Sequence, residues 1–264
     1  MLSSAKIGRS SWRYYQRSVA GGACEYYAEH GDAPGRWHGA GLAQLGLTLG
    51  AEVQEGELEA LFGRALSPTR GVALGSAWRT DAVTGYDLTF SAPKSVSTLW
   101  AFGDARTMAV IDAAHAAAVN AALGYLEVHA SVSRRGRDGV EQIGSAGFAA
   151  ALFDHRTSRT GDPQLHTHAL VVNKVRCTDG AWRTLDGHEI FHHKKSAGVI
   201  YQTALRAELS ARLPVSLGAV SEHGQAEIAG VPEQLITAED TVDDLSGGGG
   251  IITSIQMILI VAGI

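Results

Sequence analysis

Period-two alternation is clearest at residues 85–92, GYDLTFSA, where Tyr86, Leu88 and Phe90 fall on one side and Asp87, Thr89 and Ser91 on the other. That pattern predicts a half-buried strand. Pro93 and Ser95 follow with residues suited to a helix start. Residues 1–7 alternate weakly and predict a short first strand. Residues 8–20 predict a helix ended by Gly21–Gly22. The Gly-rich stretch 28–50 predicts a loop, and 53–64 a short helix. Residues 104–129 are Ala-rich with an apolar stripe at helical spacing, which predicts a long helix covering one face of a sheet. Two strands are expected at 142–155 and 164–176, joined by a turn. A helix is expected at 195–213 and a terminal hairpin at 216–229.

The pattern breaks after Ile236. An acidic run is followed by Gly247–Gly250 and then IITSIQMILIVAGI. This last segment is shorter than the roughly 20 residues a membrane-spanning helix needs. It has neither charge nor helical period and reads as an aggregation-prone strand. The expected division is therefore a catalytic unit at 1–236, cut short at its C-terminal end, and an unrelated tail at 237–264.

Composition narrows the class. Of the 264 residues, 45% are hydrophobic and 19% charged, enough to bury a core. Cys24 and Cys177 form no framework of disulfides and no CxxC pair, which suits a reducing cytoplasm. The N-terminus lacks the apolar core of a signal peptide. The formal charge of -5 does not advertise a nucleic-acid binder, but Glu239, Asp240, Asp243 and Asp244 lie in the tail with no Lys or Arg beside them. Any basic surface on the rest must be local.

The strongest chemical signal begins at Asp154: DHRTSRTGDPQLHTHALVV. Residues two apart on a strand share a face, so His166 and His168 point the same way. Thr160-Gly161-Asp162-Pro163 supplies turn chemistry. If the hairpin is symmetric about Thr160–Gly161, position 155 lies opposite 166, and directly opposed residues share a face. His155, His166 and His168 then converge within reach of one ion. Three neutral imidazoles suit a borderline first-row metal and leave positions open for substrate oxygens. His192–His193, beside Lys194–Lys195, read as a solvated or phosphate-facing surface. His30, His38, His115, His129, His188 and His223 show no ligand spacing.

Four of the seven tyrosines sit in two doublets, Tyr14–Tyr15 and Tyr26–Tyr27. Aromatic packing onto the sheet accounts for Tyr15 and Tyr27. A phenol can also act as a covalent nucleophile towards phosphorus. With an ordinary pKa near 10 it needs a base or cation nearby. Arg9, Arg13 and Arg17 repeat every four residues and are expected on one helix face, either solvated or against a DNA backbone. Asp87, on the polar side of its strand, is either a solvated carboxylate or the group that orients a ligating imidazole.

Taken together these motifs resemble the conjugative relaxases of the TrwC/TraI type, the MobF class of the HUH endonucleases. The resemblance runs from Met1 to about Ile236. It is carried by the two tyrosine doublets, WHGAGLAQLGL at 37–47, GYDLTFSAPKSVS at 85–97, the histidines with QLHTHALVVN, and LDGHEIFHHKKSAGVIYQTALRAEL at 185–209. It implies an α+β fold: an antiparallel palm-like sheet with helices packed on one face. It implies nicking of one DNA strand at a transfer origin, with Tyr14 attacking the scissile phosphate to leave a 5′-phosphotyrosine and a free 3′-OH. Tyr26 would serve a later strand transfer. His155, His166 and His168 would hold a divalent cation, Mg²⁺ or Mn²⁺ with Zn²⁺ also suitable, and Asp87 would assist the nucleophile and orient a histidine. Lys94, Lys194 and Lys195 join the arginines as DNA-contact candidates. Implied partners are single-stranded and hairpin DNA, and accessory relaxosome and coupling proteins. Full-length members carry a helicase, but no GxxxxGK[ST] loop occurs here. Other readings remain open: a rolling-circle replication initiator, a DNA-binding module without activity, and a metal-dependent hydrolase using water.

Overall fold

The computed structural model describes residues 1–13, 34–158 and 162–231. Tyr14, Tyr15, Arg17, Tyr26, Tyr27, the Thr160–Gly161 turn and the tail at 237–264 lie outside the described residues.

Five antiparallel strands form the central sheet in the order β1-β3-β7-β6-β2: β1 Leu2–Ile7, β2 Arg36–His38, β3 Gly85–Ser91, β6 Ala150–Thr157 and β7 Pro163–Val172. Side-chain alternation divides this sheet into two chemically different faces. Tyr86, Leu88, Phe90, Ala150, Leu152, Ala169 and Val171 belong to one core cluster with the helices. Those helices are α3 Lys94–Phe102, α4 Ala105–Ala130 and α5 Gly187–Arg212. The expectation of an α+β sheet with long helices on one face is met. By length and hydropathy α4 could cross a membrane, but here it is a core helix, with Ile111, Ala114, Ala118, Val119, Ala122 and Leu123 buried.

The second face is not left to solvent. Trp37, Leu42, Leu45, Leu58, Leu61, Phe62 and Leu74 cover Ala149, Ala151, Phe153, Leu170 and Val172. This cover comes from β2, from α1 Leu42–Leu45, and from α2 Glu55–Leu58 continued by a π-turn at Glu59–Gly63. The stretch expected as loop through residue 50 therefore contains a strand and a helical turn. Strand β3 is accordingly buried on both sides, and Asp87 is only 5% exposed.

Gly85 is required where the two layers meet. A Cβ there would lie 2.5 Å from Phe62 Cε1 and 2.6 Å from the Val171 carbonyl oxygen. Overpacking of a tight core costs about 1–3 kcal/mol. Gly85→Ala is expected to lower unfolding free energy within that range in urea titrations, whereas Gly56→Ala, with open space around the new carbon, should not lower it.

The expected strand at 142–155 is instead two. Hairpin β4 Val132–Arg135 and β5 Glu141–Gly144 ends before Gly147, whose φ of 101° turns the chain into β6. A Cβ at Gly147 would meet Glu127 Oε1 at 2.6 Å, so this turn depends on glycine. The strand expected at 164–176 stops at Val172. There Asn173 ties Val83 and Leu185 together through its side chain, and a short hairpin follows, β8 Val175–Arg176 with β9 Trp182–Arg183. Helix α5 begins at Gly187, eight residues earlier than expected, because Asp186 caps it by accepting from His188 N–H. At 216–229 the expected hairpin is reduced to one bridge, Leu217 to Ile228.

Candidate metal centre

The β6–β7 pairing sets His155 directly opposite His166 and Phe153 opposite His168. This is the register expected from a turn centred on Thr160–Gly161, and it is kept through His155 before a bulge shifts the ladder at Thr157. All three imidazoles lie on the second face of the sheet, beyond the apolar cover. Their ring centroids are 5.1 Å apart in each pair, and one nitrogen of each lies within 4.8 Å of the other two.

Hydrogen bonds leave these rings ready to donate lone pairs. His168 Nδ1 donates to the Asp87 carboxylate, at 2.9 and 3.0 Å, and His166 Nδ1 donates to the Gln164 carbonyl at 2.9 Å. Both rings then present Nε2 as an acceptor, the usual arrangement behind a metal-bound histidine. His155 Nε2 is buried and has no hydrogen-bond partner. A buried polar atom left unpaired is costly, and a cation is the partner that this donor set fits. Asp87 is thus placed behind the imidazoles rather than in solvent. Thr89 Oγ1 also donates to it at 3.2 Å.

Burial, and then the neighbouring His166 and His168, push the His155 pKa down to about 4 from 6.5, and burial also lowers that of His166. The folded chain therefore binds fewer protons here than the unfolded chain. The stability these groups contribute is fully present above pH 6.5 and is lost as pH falls towards 4. Metal-free protein should melt at progressively lower temperature across that window. A flat melting profile between pH 7 and pH 4.5 would contradict the assignment of neutral buried rings.

A second polar network lies on the opposite face, directly behind the histidines. Tyr201 donates to His115 Nδ1 at 2.9 Å, and His115 Nε2 donates to Thr167 Oγ1 at 2.8 Å. Thr167 in turn donates to Asp154 Oδ1 at 2.5 Å, and Arg36 pairs with the other carboxylate oxygen. Burial lowers the His115 pKa to about 4, which keeps the ring neutral near pH 7, and the neutral ring fits a chain whose protons all run one way. Sequence reading missed this network. Its signal was parity: Asp154 and Thr167 are polar at positions that share a face with Leu152 and Ala169.

The remaining candidates are dispersed. Arg9 lies in a turn over residues 9–11 rather than on the face of the helix expected at 8–20, and its Nε donates to the Gly63 carbonyl at 3.2 Å. Arg13 is exposed and stands over the Trp12 ring at 5.2 Å. Both are on the imidazole side, since Trp12 belongs to that core cluster. Lys94 opens α3 at the histidine end of β3, where Ser91 pairs with His166. Lys194 and Lys195 ride on α5, behind the sheet, and the fold does not bring them to the histidines.

Known proteins are similar to this chain in sequence and fold. The multifunctional conjugation protein TraI of Escherichia coli is 33% identical over 234 residues, which is 83% of this chain and 13% of TraI. A conjugative relaxase TrwC in complex with oriT DNA, in a copper-bound structure, superposes with a TM-score of 0.72 at 32% identity, over 89% of this chain and 78% of that one. TrwC complexed with a 27-mer DNA comprising the recognition hairpin and the cleavage site gives 0.67 at 31% identity, over 89% and 77%. The chain thus spans about one eighth of the length of TraI, 13%. The TrwC relaxase family profile matches residues 9–239, and with that match and the TraI identity over most of its length this chain belongs to the TrwC relaxase family.

Proposed function

We propose that this chain cuts one strand of DNA at a transfer origin, holds the broken end covalently and passes it on. The observation that carries this reading is the imidazole triangle backed by Asp87, on the sheet of a chain whose family match includes both tyrosine doublets. In this reading the Tyr14 oxygen bonds to the scissile phosphorus and the bond to the 3′ oxygen breaks. The leaving oxygen takes a proton to become a free 3′-OH, and the phosphodiester is conserved as 5′-phosphotyrosine. Tyr26 repeats the exchange in a later strand transfer.

His155, His166 and His168 hold the cation, and Asp87 fixes the tautomer and tilt of His168. When bound, the ion supplies positive charge to the phosphate oxygens as negative charge builds on them. Mg²⁺ or Mn²⁺ is the expected ion in the cell, and Zn²⁺ suits the all-nitrogen donor set as well. Arg9, Arg13, Arg17 and Lys94 are the backbone contacts to single-stranded and hairpin DNA, with Lys194 and Lys195 reaching only DNA that wraps behind the sheet. Accessory relaxosome and coupling proteins, and action in a bacterial cytoplasm, belong to the same reading.

The test is a labelled single-stranded oligonucleotide carrying the cognate nick site, incubated with Mn²⁺ or Mg²⁺. A covalent adduct is expected, and it should vanish in Tyr14→Phe while DNA binding persists. Tight binding without adduct would reduce the chain to a binding module. Cleavage that survives both Tyr14→Phe and Tyr26→Phe would mean that water is the nucleophile.

A further inference from the structure

A second group of histidines lies on the helical side of the protein, and the relaxase chemistry makes no use of it. Helix α5 opens with His188-Glu189-Ile190-Phe191-His192-His193. Residues four apart on a helix share a face, and two imidazoles so placed can chelate one ion, as in the H-E-x-x-H pattern. Here the His188 and His192 rings are nearly parallel, 13° apart in plane, with centroids 6.1 Å apart. His188 is 76% exposed in its side chain, and His192 is exposed too, so neither ring is needed for the core.

Glu189 and His193 form a second pair four residues apart, next to the first. Glu189 Oε1 is 3.6 Å from His188 Nδ1, and its Oε2 is 3.8 Å from His193 Nε2. Behind them, α4 supplies Tyr125, which hydrogen-bonds to His193 Nδ1 at 2.8 Å, and His129, stacked on His193 at 5.4 Å between centroids. His192 and His193 are 5.1 Å apart. Four imidazoles, a carboxylate and a phenol are thus gathered across two helices, on the opposite face of the sheet from His155, His166 and His168.

We propose that His188 and His192 form a second metal site, taking a borderline divalent ion such as Ni²⁺, Cu²⁺ or Zn²⁺ through two imidazole nitrogens. Water fills the remaining positions. Glu189 offsets the charge of the ion and accepts hydrogen bonds from its waters. The Asp186 cap and Glu189 also counter the positive end of the helix, which would otherwise repel a cation there. With two protein ligands against three, this site is the weaker of the two and fills second. Its ion braces the start of α5 and therefore raises the melting temperature with the logarithm of free metal above its Kd.

Chelator-stripped protein titrated with Ni²⁺ by calorimetry, with bound metal counted after buffer exchange, tests this. The parent chain is expected to bind one more ion than His188→Ala/His192→Ala, which keeps the tighter site. His166→Ala should lose the tighter ion and keep the weaker one. His192→Gln, which is close in size and at least as good a helix former, should lose the weaker ion and the Ni²⁺-dependent rise in melting temperature while melting no lower than the parent without metal. If His188→Ala/His192→Ala binds as many ions as the parent, the proposal is overturned, whatever His166→Ala does. It is also overturned if His192→Gln keeps the full Ni²⁺-dependent rise.

Discussion

His166→Ala is expected to weaken divalent-metal binding by more than about 100-fold and to abolish adduct formation with nick-site DNA. The size follows from what is removed. Loss of a group that merely orients a ligand costs about 10–100-fold in affinity. His166 stands in the triangle itself, 5.1 Å from each of the other two rings. Its removal leaves two donors and a gap at the mouth of the β6–β7 hairpin. Asp87→Asn should fall inside the smaller range, because its carboxylate acts through His168 Nδ1 and the amide can still accept that bond. His223→Ala is the control: its side chain is 57% exposed and its polar contact is with the adjacent Glu222. Calorimetric titration of the three variants decides the matter, and equal affinity in His166→Ala and His223→Ala would defeat the ligand assignment.

Thr167→Val is expected to cost about 3 kcal/mol of folding stability while leaving metal affinity within about threefold of the parent. Valine matches threonine in shape, so no cavity opens. What disappears is the hydroxyl that accepts from His115 and donates to Asp154. Thr167 is fully buried and His115 is 3% exposed, so water cannot replace it. Leaving the buried His115 N–H unpaired costs about 1–3 kcal/mol, and Asp154, which is 28% exposed and keeps its pair with Arg36, loses one charge-assisted hydrogen bond, worth about 1.5–3 kcal/mol at most. Domains hold only about 5–15 kcal/mol in total, so this one oxygen is a large fraction. The melting temperature should fall by roughly 6–12 °C for a chain of this size. Tyr201→Phe removes only the outermost link and should cost about 1 kcal/mol. The metal is spared because Thr167 points away from the imidazoles on either side of it. A variant that folds as stably as the parent would show that the network is incidental.

Much of the imidazole triangle was legible in the sequence. His166 and His168 share a face because strand geometry has period two, and His155 joins them because a short turn fixes hairpin register. Both rules act over a few residues, and both survive in the β6–β7 ladder. The strand at 85–92 and the helix at 104–129 were legible for the same reason, since each carries its own period. The breaks were harder. The strand expected through residue 155 divides at Gly147, where Glu127 from α4 occupies the space that a side chain would need.

What the sequence by itself determined was local: which segments alternate, which residue types gather around the hairpin, and which imidazoles share a side. Only the tertiary structure decided what stands behind them. Asp87 reaches His168 because β3 pairs with β7 across a wide gap in the chain. Asp154 and Thr167 are held because α4 and α5 close over the opposite face and bring His115 and Tyr201 to them. The physical reason is one of range. Periodicity is enforced by neighbours along the chain, whereas strand order and the burial of a carboxylate depend on which distant surfaces exclude water together.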